Sequence, residues 1–105
     1  MKIIFAGTPE IGLETLKTIH GSNHEISLVL TNEDKPSGRG KLISKSPVKI
    51  FAEDNEIMLK QPKNLKEKGL VTYLKNINAD LLVVFAYGHI IPEEILEIFE
   101  KGALN

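Results

Sequence analysis

The chain has 105 residues with no cysteine, 42% hydrophobic and 26% charged residues, and a net charge of −1, ordinary values for a globular domain. These totals exclude a disulfide framework and a thiolate zinc site, and no stretch approaches the ~20 apolar residues of a membrane span. The opening run, Met1 to Gly7, is too short to be the apolar core of a signal peptide, and a chain without cysteine suits a reducing cytoplasm, the location expected.

In chain order, Lys2–Ala6 predicts a short buried strand, and Gly7-Thr8-Pro9 turns the chain. Thr8 suits an N-cap, Pro9 the first helical position and Glu10 the positive end of a helix dipole. Ile11, Leu13, Leu16 and Ile19 approximate one helix face, closed by Gly21. Ile26–Thr31 predicts a second strand, and 32–46 a long polar loop with Pro36, Gly38 and Gly40. Pro47 opens a helix carrying Val48, Ile50, Phe51 and Ala52, and Ile57–Lys60 predicts a third strand. Asn64 with Glu67 three residues on resembles a capping box, ahead of Leu70, Val71, Leu74 and Ile77. Asp80–Phe85 is apolar without alternation after its first residue, the pattern of a parallel strand buried on both faces. Ala86–Ile91 then predicts a loop, and Pro92, Glu93, Glu94, Lys101 and Gly102 mark the start and end of a helix. Ala103-Leu104-Asn105 begins a further strand.

Strands alternating with helices specify an α/β fold, a Rossmann-like parallel sheet with helices on both faces. Because a new strand begins at 103, the 105 residues are expected to form an incomplete sheet. Two nucleotide signatures fail in the first strand–turn–helix. Gly7 and Gly12 have the P-loop spacing, but Leu13 and Glu14 follow instead of Lys and Ser/Thr, and Pro9 stands where a dinucleotide fingerprint needs Gly. Gly7 is read first as a turn residue, with a loop bordering a ligand site as the functional alternative. Charge is unevenly spread: Lys35, Arg39, Lys41, Lys45 and Lys49 lie in fifteen residues without an acid, leaving −6 on the rest. By charge alone this is a solvated loop.

Three segments together resemble the folate-dependent formyltransferase family: Ile3-Ile4-Phe5-Ala6-Gly7-Thr8-Pro9-Glu10; Asp34-Lys35-Pro36-Ser37-Gly38-Arg39-Gly40-Lys41 followed by Ser46-Pro47-Val48-Lys49; and Ala79-Asp80 running to Ala86-Tyr87-Gly88-His89-Ile90-Ile91-Pro92. The resemblance is strongest to the members that formylate the methionine carried by initiator tRNA. It implies formyl transfer from 10-formyltetrahydrofolate to an amine, without a metal. It makes Asn105 the catalytic asparagine, and places the family's His and Asp, the rest of the catalytic domain and a C-terminal tRNA-binding barrel beyond residue 105. The 105 residues are thus expected to be about the first half of a catalytic domain and inactive alone.

By the same resemblance, Phe85, Ala86, Tyr87, Gly88, Ile90, Ile91 and Pro92 line the folate pocket, although core packing is the alternative for Tyr87 and Ile90. His89 falls at the motif's variable position and reads as a loop or surface residue. Lys35, Arg39 and Lys41 contact the tRNA acceptor stem, and Gly7, Thr8, Pro9 and Ile11 border the methionyl site. The family often has Phe where this chain has Ile11, which keeps apolar surface and loses an aromatic contact. Sugar N-formyltransferases and formyltetrahydrofolate hydrolase domains share the fold, and a non-catalytic remnant is a third alternative. An uncovered sheet edge predicts self-association.

Overall fold

The computed structural model describes residues 1–7, 11–37 and 42–105, with side chains there except at positions 11, 35–37 and 42–44. Along the chain run β1 (Lys2–Gly7), α1 (Ile11–His20), β2 (Glu25–Leu30), β3 (Lys35–Ser37), β4 (Leu42–Ser44), α2 (Pro47–Asp54), β5 (Leu59–Lys60), α3 (Leu70–Ile77), β6 (Leu81–Phe85), α4 (Glu93–Leu96) and β7 (Ala103–Leu104).

Five of the strands form one sheet in the order β5-β2-β1-β6-β7, with every pairing parallel. The chain builds outward from β1 through β2 to β5, then returns to add β6 and β7 on the other side. That reversal puts a topological switch point between β1 and β6, where Gly7 pairs with Phe85.

Side-chain alternation along the strands divides the core into two layers. Ile4, Ala6, Leu28, Leu30, Leu82 and Val84 pack with Leu70 and Leu74 of α3 and with Ile95 and Phe99. Phe5, Ile26 and Val29 pack on the opposite face with Leu16 of α1 and Val48 and Ala52 of α2. Ile26 and Leu28 face opposite layers although two apart, because the register slips between Ile3↔Ile26 and Ile4↔Leu28. An irregularity at Ser27 therefore re-phases β2. Burying each Leu, Ile or Phe here contributes about 2 kcal/mol, so the sheet is held mainly from its two faces. β6 is interior, as its unbroken apolar run requires, and Asp80 ties its start to β1 through both the Asp80 N–H to the Lys2 carbonyl at 2.8 Å and the Lys2 N–H to its carboxylate at 2.9 Å.

Four sequence expectations change. The polar loop contains a two-stranded antiparallel ribbon, with Lys35↔Ser44, Pro36↔Ile43 and Ser37↔Leu42 in register. Leu42 and Ile43 favour a strand, and a two-stranded ribbon is all edge, where Pro36 is tolerated. Asn64 and Glu67 organise a turn and do not start a helix: Asn64 Oδ1 accepts from Lys66 N–H, and the Glu67 carboxylate accepts from Lys63 N–H. The helix begins after Gly69, whose φ of +85° breaks the spiral. The segment from Pro92 to Lys101 is helical only over Glu93–Leu96, with Pro92 at the N-cap. Beyond it, Ile98, Phe99 and Gly102 donate to carbonyls three residues back, a tighter winding that swings Phe99 into the core and lets Lys101 N–H reach the Asp80 carbonyl at 2.8 Å. Finally, Gly7 lies inside β1 and is not among the positive-φ residues, so it supplies clearance where a turn residue was read. A Cβ there would sit 2.8 Å from the Phe85 carbonyl oxygen and 2.9 Å from the Phe5 ring.

Pro47 does open α2, and Ser46 caps it by accepting from Lys49 N–H at 3.1 Å. The Thr8–Pro9–Glu10 cap lies outside the described residues.

Candidate functional site

The connection after β6 takes its shape from its backbone. Ala86 has φ +48° and Gly88 φ +87°, two left-handed residues with Tyr87 between them. This reversal turns the Tyr87 ring into the core, where it is 1% exposed among the layer carrying Leu30, Val84 and Phe99. Its hydroxyl has no hydrogen-bond partner among the described residues, and burial pushes its pKa up to about 12. Phe85 packs on the other face of the sheet. Ile90, by contrast, is 93% exposed.

Beside this loop a cleft of about 460 Å³ opens at the carboxyl ends of β6 and β7. Val84, His89, Ile90, Ile91, Leu96, Ala103, Leu104 and Asn105 line it. The volume lies within the range of small-molecule sites, and the make-up is the usual one, apolar walls with few polar groups. Among the predicted site residues, Ile90, Ile91 and Asn105 come together here. Phe85, Ala86, Tyr87, Gly88 and Pro92 belong to the same connection without lining the cleft, and Gly7 borders the neighbouring switch point. Tyr87 and Phe85 serve packing through their rings. Ile11 begins α1, but its side chain and the whole of Thr8 and Pro9 lie outside the described set.

Polar side chains organise the connection after β2. Lys49 Nζ lies 2.6 Å from Asp34 Oδ2, with the two side chains 11% and 24% exposed. Gln61 Nε2 donates to Asp34 Oδ1 at 2.9 Å and to the Asn32 carbonyl at 3.0 Å. The hydrogen bonds from Lys49 and Gln61 hold the Asp34 carboxyl below the usual carboxylate range. Lys45 pairs with Glu53 at 2.9 Å on the surface, a contact that raises the lysine's pKa. Two of the five clustered cations are thus engaged by the chain's own acids. Lys35 lies in β3 with its side chain outside the described set, and Arg39 and Lys41 lie wholly outside it.

Asn32 links the two connections. Its Nδ2 donates to the Tyr87 carbonyl at 3.0 Å, and its Oδ1 lies 2.6 Å from His89 Nε2. His89 lies in the loop, as expected, and is half-buried and hydrogen-bonded there. Asn32, Gln61 and Lys49 were not singled out individually from the sequence. The available signal for Asn32 was its place immediately beyond a parallel strand, at the sheet edge where loops from neighbouring strands meet. Nothing periodic marks Gln61. Among the described residues no group of three or more His, Cys, Asp or Glu could hold a metal, and no helix is long and apolar enough to cross a membrane.

Comparison with known proteins gives this edge a context. Methionyl-tRNA formyltransferases of Clostridioides difficile and Fusobacterium nucleatum are each 46% identical over all 105 residues, and that of Nitrosomonas eutropha is 45% identical. The chain spans about a third of the length of these curated relatives: 34%, 34% and 33%. Among solved structures, phosphoribosylglycinamide formyltransferase of Bacillus halodurans superposes on 98% of this chain and 54% of its own, with a TM-score of 0.69 at 12% identity. The enzyme of that name from Anaplasma phagocytophilum gives 0.67 at 17% identity, over 97% of this chain and 46% of its own. At such identities the likeness is one of fold. The family model for formyl transferase matches residues 1–105, and with the match running the whole length of the sequence the chain belongs to the formyl transferase family.

Proposed function

We propose that these residues form the amino-terminal part of a catalytic domain that transfers a formyl group from 10-formyltetrahydrofolate to the α-amino group of methionine on initiator tRNA, in the cytoplasm. The observation that carries this reading is the cleft in which Asn105 meets Ile90 and Ile91 at the carboxyl edge of the sheet. Identity of 44–46% over the whole chain to methionyl-tRNA formyltransferases supports the choice of acceptor.

The residues present fit a folate. The faces of a pterin ring suit walls made by Val84, Ile90, Ile91, Leu96 and Leu104, and the turn Phe85–Pro92 offers backbone groups to the donors and acceptors on its edge. The formyl group supplies the electrophilic carbon. When an amine attacks it, negative charge develops on the formyl oxygen, and the Asn105 carboxamide N–H is the donor this chain offers to that charge. One such donor is typically worth about 3–4 kcal/mol. An amide cannot accept the proton that the attacking amine must lose, so Asn105 does not provide the acid–base chemistry. Lys35, Arg39 and Lys41 meet RNA phosphates, and Gly7, Thr8, Pro9 and Ile11 border the methionyl group. β5 and β7 are the sheet edges, and the 105-residue chain is expected to self-associate there.

A chimera tests the reading: residues 1–105 replace the matching third of the Clostridioides difficile relative. Formyl transfer to methionyl-tRNA is expected, falling about a hundredfold or more in kcat with Asn105→Ala. Arg39→Ala is expected to raise the KM for tRNA with little change in kcat. A folded chimera that formylates an amino sugar and not methionyl-tRNA overturns the assignment of substrate.

A further inference from the structure

We propose that Asn32 is a positioning residue, whose carboxamide latches the connection after β6 to the carboxyl end of β2 and so fixes the cleft wall made by His89, Ile90 and Ile91. The proposal's consequence for ligand binding rests on the folate reading of the cleft, whereas the latch itself does not.

The connection needs such a tie. Among the described residues, 87–91 make no backbone–backbone hydrogen bond, and Ile90 stands almost wholly in solvent. Asn32 reaches two points two residues apart: the Tyr87 carbonyl at 3.0 Å and His89 Nε2 at 2.6 Å. Gly88 between them has φ +87°, and a Cβ there would lie 4.0 Å from Asn32 Nδ2, so the amide lies against the turn. The imidazole also rests on the Tyr87 ring, with centroids 4.9 Å apart.

Hydrogen-bond logic then sets the protons. A carbonyl only accepts, so the nitrogen of the Asn32 amide must face Tyr87 and its oxygen must face His89. That oxygen also only accepts, so His89 Nε2 must carry the hydrogen. A tautomer on the cleft wall is therefore assigned by a residue in the connection after a different strand. Asn32 is itself held from behind: its carbonyl accepts from Gln61, which also donates to the Asp34 carboxylate that Lys49 grips. The latch is a side chain on a fixed base closing on a loop that has a buried tyrosine but few other hydrogen bonds, the arrangement expected of a group that orients a binding surface.

The 105-residue chain itself carries the first arm of the test. A long-range proton–nitrogen correlation spectrum of the His89 ring is expected to show hydrogen on Nε2 in the parent, and both tautomers in Asn32→Leu. The backbone order parameters of residues 87–91 should fall in that variant while those of β1 and β6 stay unchanged. Should Asn32→Leu not fold, the isosteric Asn32→Asp decides: it accepts from His89 but cannot donate to Tyr87, so the ring proton stays on Nε2 and the Gly88 amide nitrogen, which reports on the preceding carbonyl, shifts. Hydrogen on Nδ1 in the parent, or unaltered loop signals in both variants, overturns the proposal. Tetrahydrofolate titration of the chimera forms the second arm, and about a tenfold loss of affinity in Asn32→Leu is expected for one lost hydrogen-bonding group. Equal affinity overturns the positioning role. A parent chimera that does not bind tetrahydrofolate counts against the folate reading, and the spectra alone then decide the latch.

Discussion

The two connections that leave the carboxyl edge of the sheet after β2 and β6 are built by opposite means. After β6, shape comes from backbone: two left-handed residues, a tyrosine turned inward and an isoleucine left in water. After β2, shape comes from side chains: a lysine, a glutamine and an aspartate bonded around residues 32–34. The first gives the cleft an apolar wall, with His89 the one polar side chain that this connection adds to its lining. The second suits the base of a cationic segment, because charges held at its root are not free to wander. Each can be broken by its own kind of substitution, and the size of the effect should follow how rigid the opposing atoms are.

The largest effect belongs at the root of the backbone-shaped connection. A Cβ at Gly7 meets the Phe85 carbonyl oxygen at 2.8 Å, an atom locked in the β1–β6 ladder. Gly7→Val is expected to destabilise the chain by about 3 kcal/mol or more in chemical denaturation. Gly12→Ala provides the contrast. Its nearest atom is a Phe85 ring carbon at 3.3 Å, which can yield, so its cost should be clearly smaller.

Gly7 also illustrates what could be read before the structure. Its place near the carboxyl ends of the strands follows from the strand–turn–helix pattern, but its clearance role does not, because that depends on Phe85, 78 residues away. The strand–helix alternation and the buried central strand needed only local pattern, and both match the structure. The helix expected from Pro92 to Lys101 forms but stops at Leu96, because Phe99 and the Asp80 carbonyl, both tertiary partners, demand tighter turns beyond it. The site divided along the same line. Ile90, Ile91 and Asn105 are implied by the resemblance of a contiguous motif and a strand end to the formyltransferase family, whereas the Asn32–His89 contact joins residues 57 apart by a hydrogen bond that leaves no periodic trace.

Tyr87 sharpens the comparison next. Its buried hydroxyl has no partner among the described residues, so Tyr87→Phe is expected to gain about 1 kcal/mol at neutral pH. The gain should change with pH. The phenol ionises near 10 in the unfolded chain and at about 12 in the folded one. Below pH 10 the two states bind the same proton; above it the unfolded state releases one that the folded state retains, so stability falls. The advantage of Tyr87→Phe should therefore widen by roughly 2 kcal/mol between pH 10 and 12. A constant difference across that window would show the hydroxyl to be solvated.

Smaller again is Gly88→Ala. The added methyl meets Asn32 Nδ2 at an ordinary 4.0 Å, so the cost is conformational, about 1 kcal/mol for a left-handed alanine. Ala86→Gly should act in the opposite sense, because Ala86 already has φ +48°. A stabilised Gly88→Ala would mean that the backbone does not set this turn.

The smallest expected effect lies in the side-chain-built connection. Asp34 and Lys49 both retain some contact with water, and Gln61 remains as a second donor when the ammonium is removed. Lys49→Met should lower stability modestly at pH 7. The deficit should then shrink as the pH falls through the carboxyl range. The sign follows from the direction of the Asp34 shift: a carboxyl held below its unfolded value of 3.8 stabilises the folded chain above that value and loses the contribution on protonation. Parent and variant should converge in acid and separate at neutrality. A deficit that persists below pH 2 would assign the loss to the lysine's methylenes packed at the base of the segment and not to its charge, and the connection after β2 would then depend on packing and not on its ion pair.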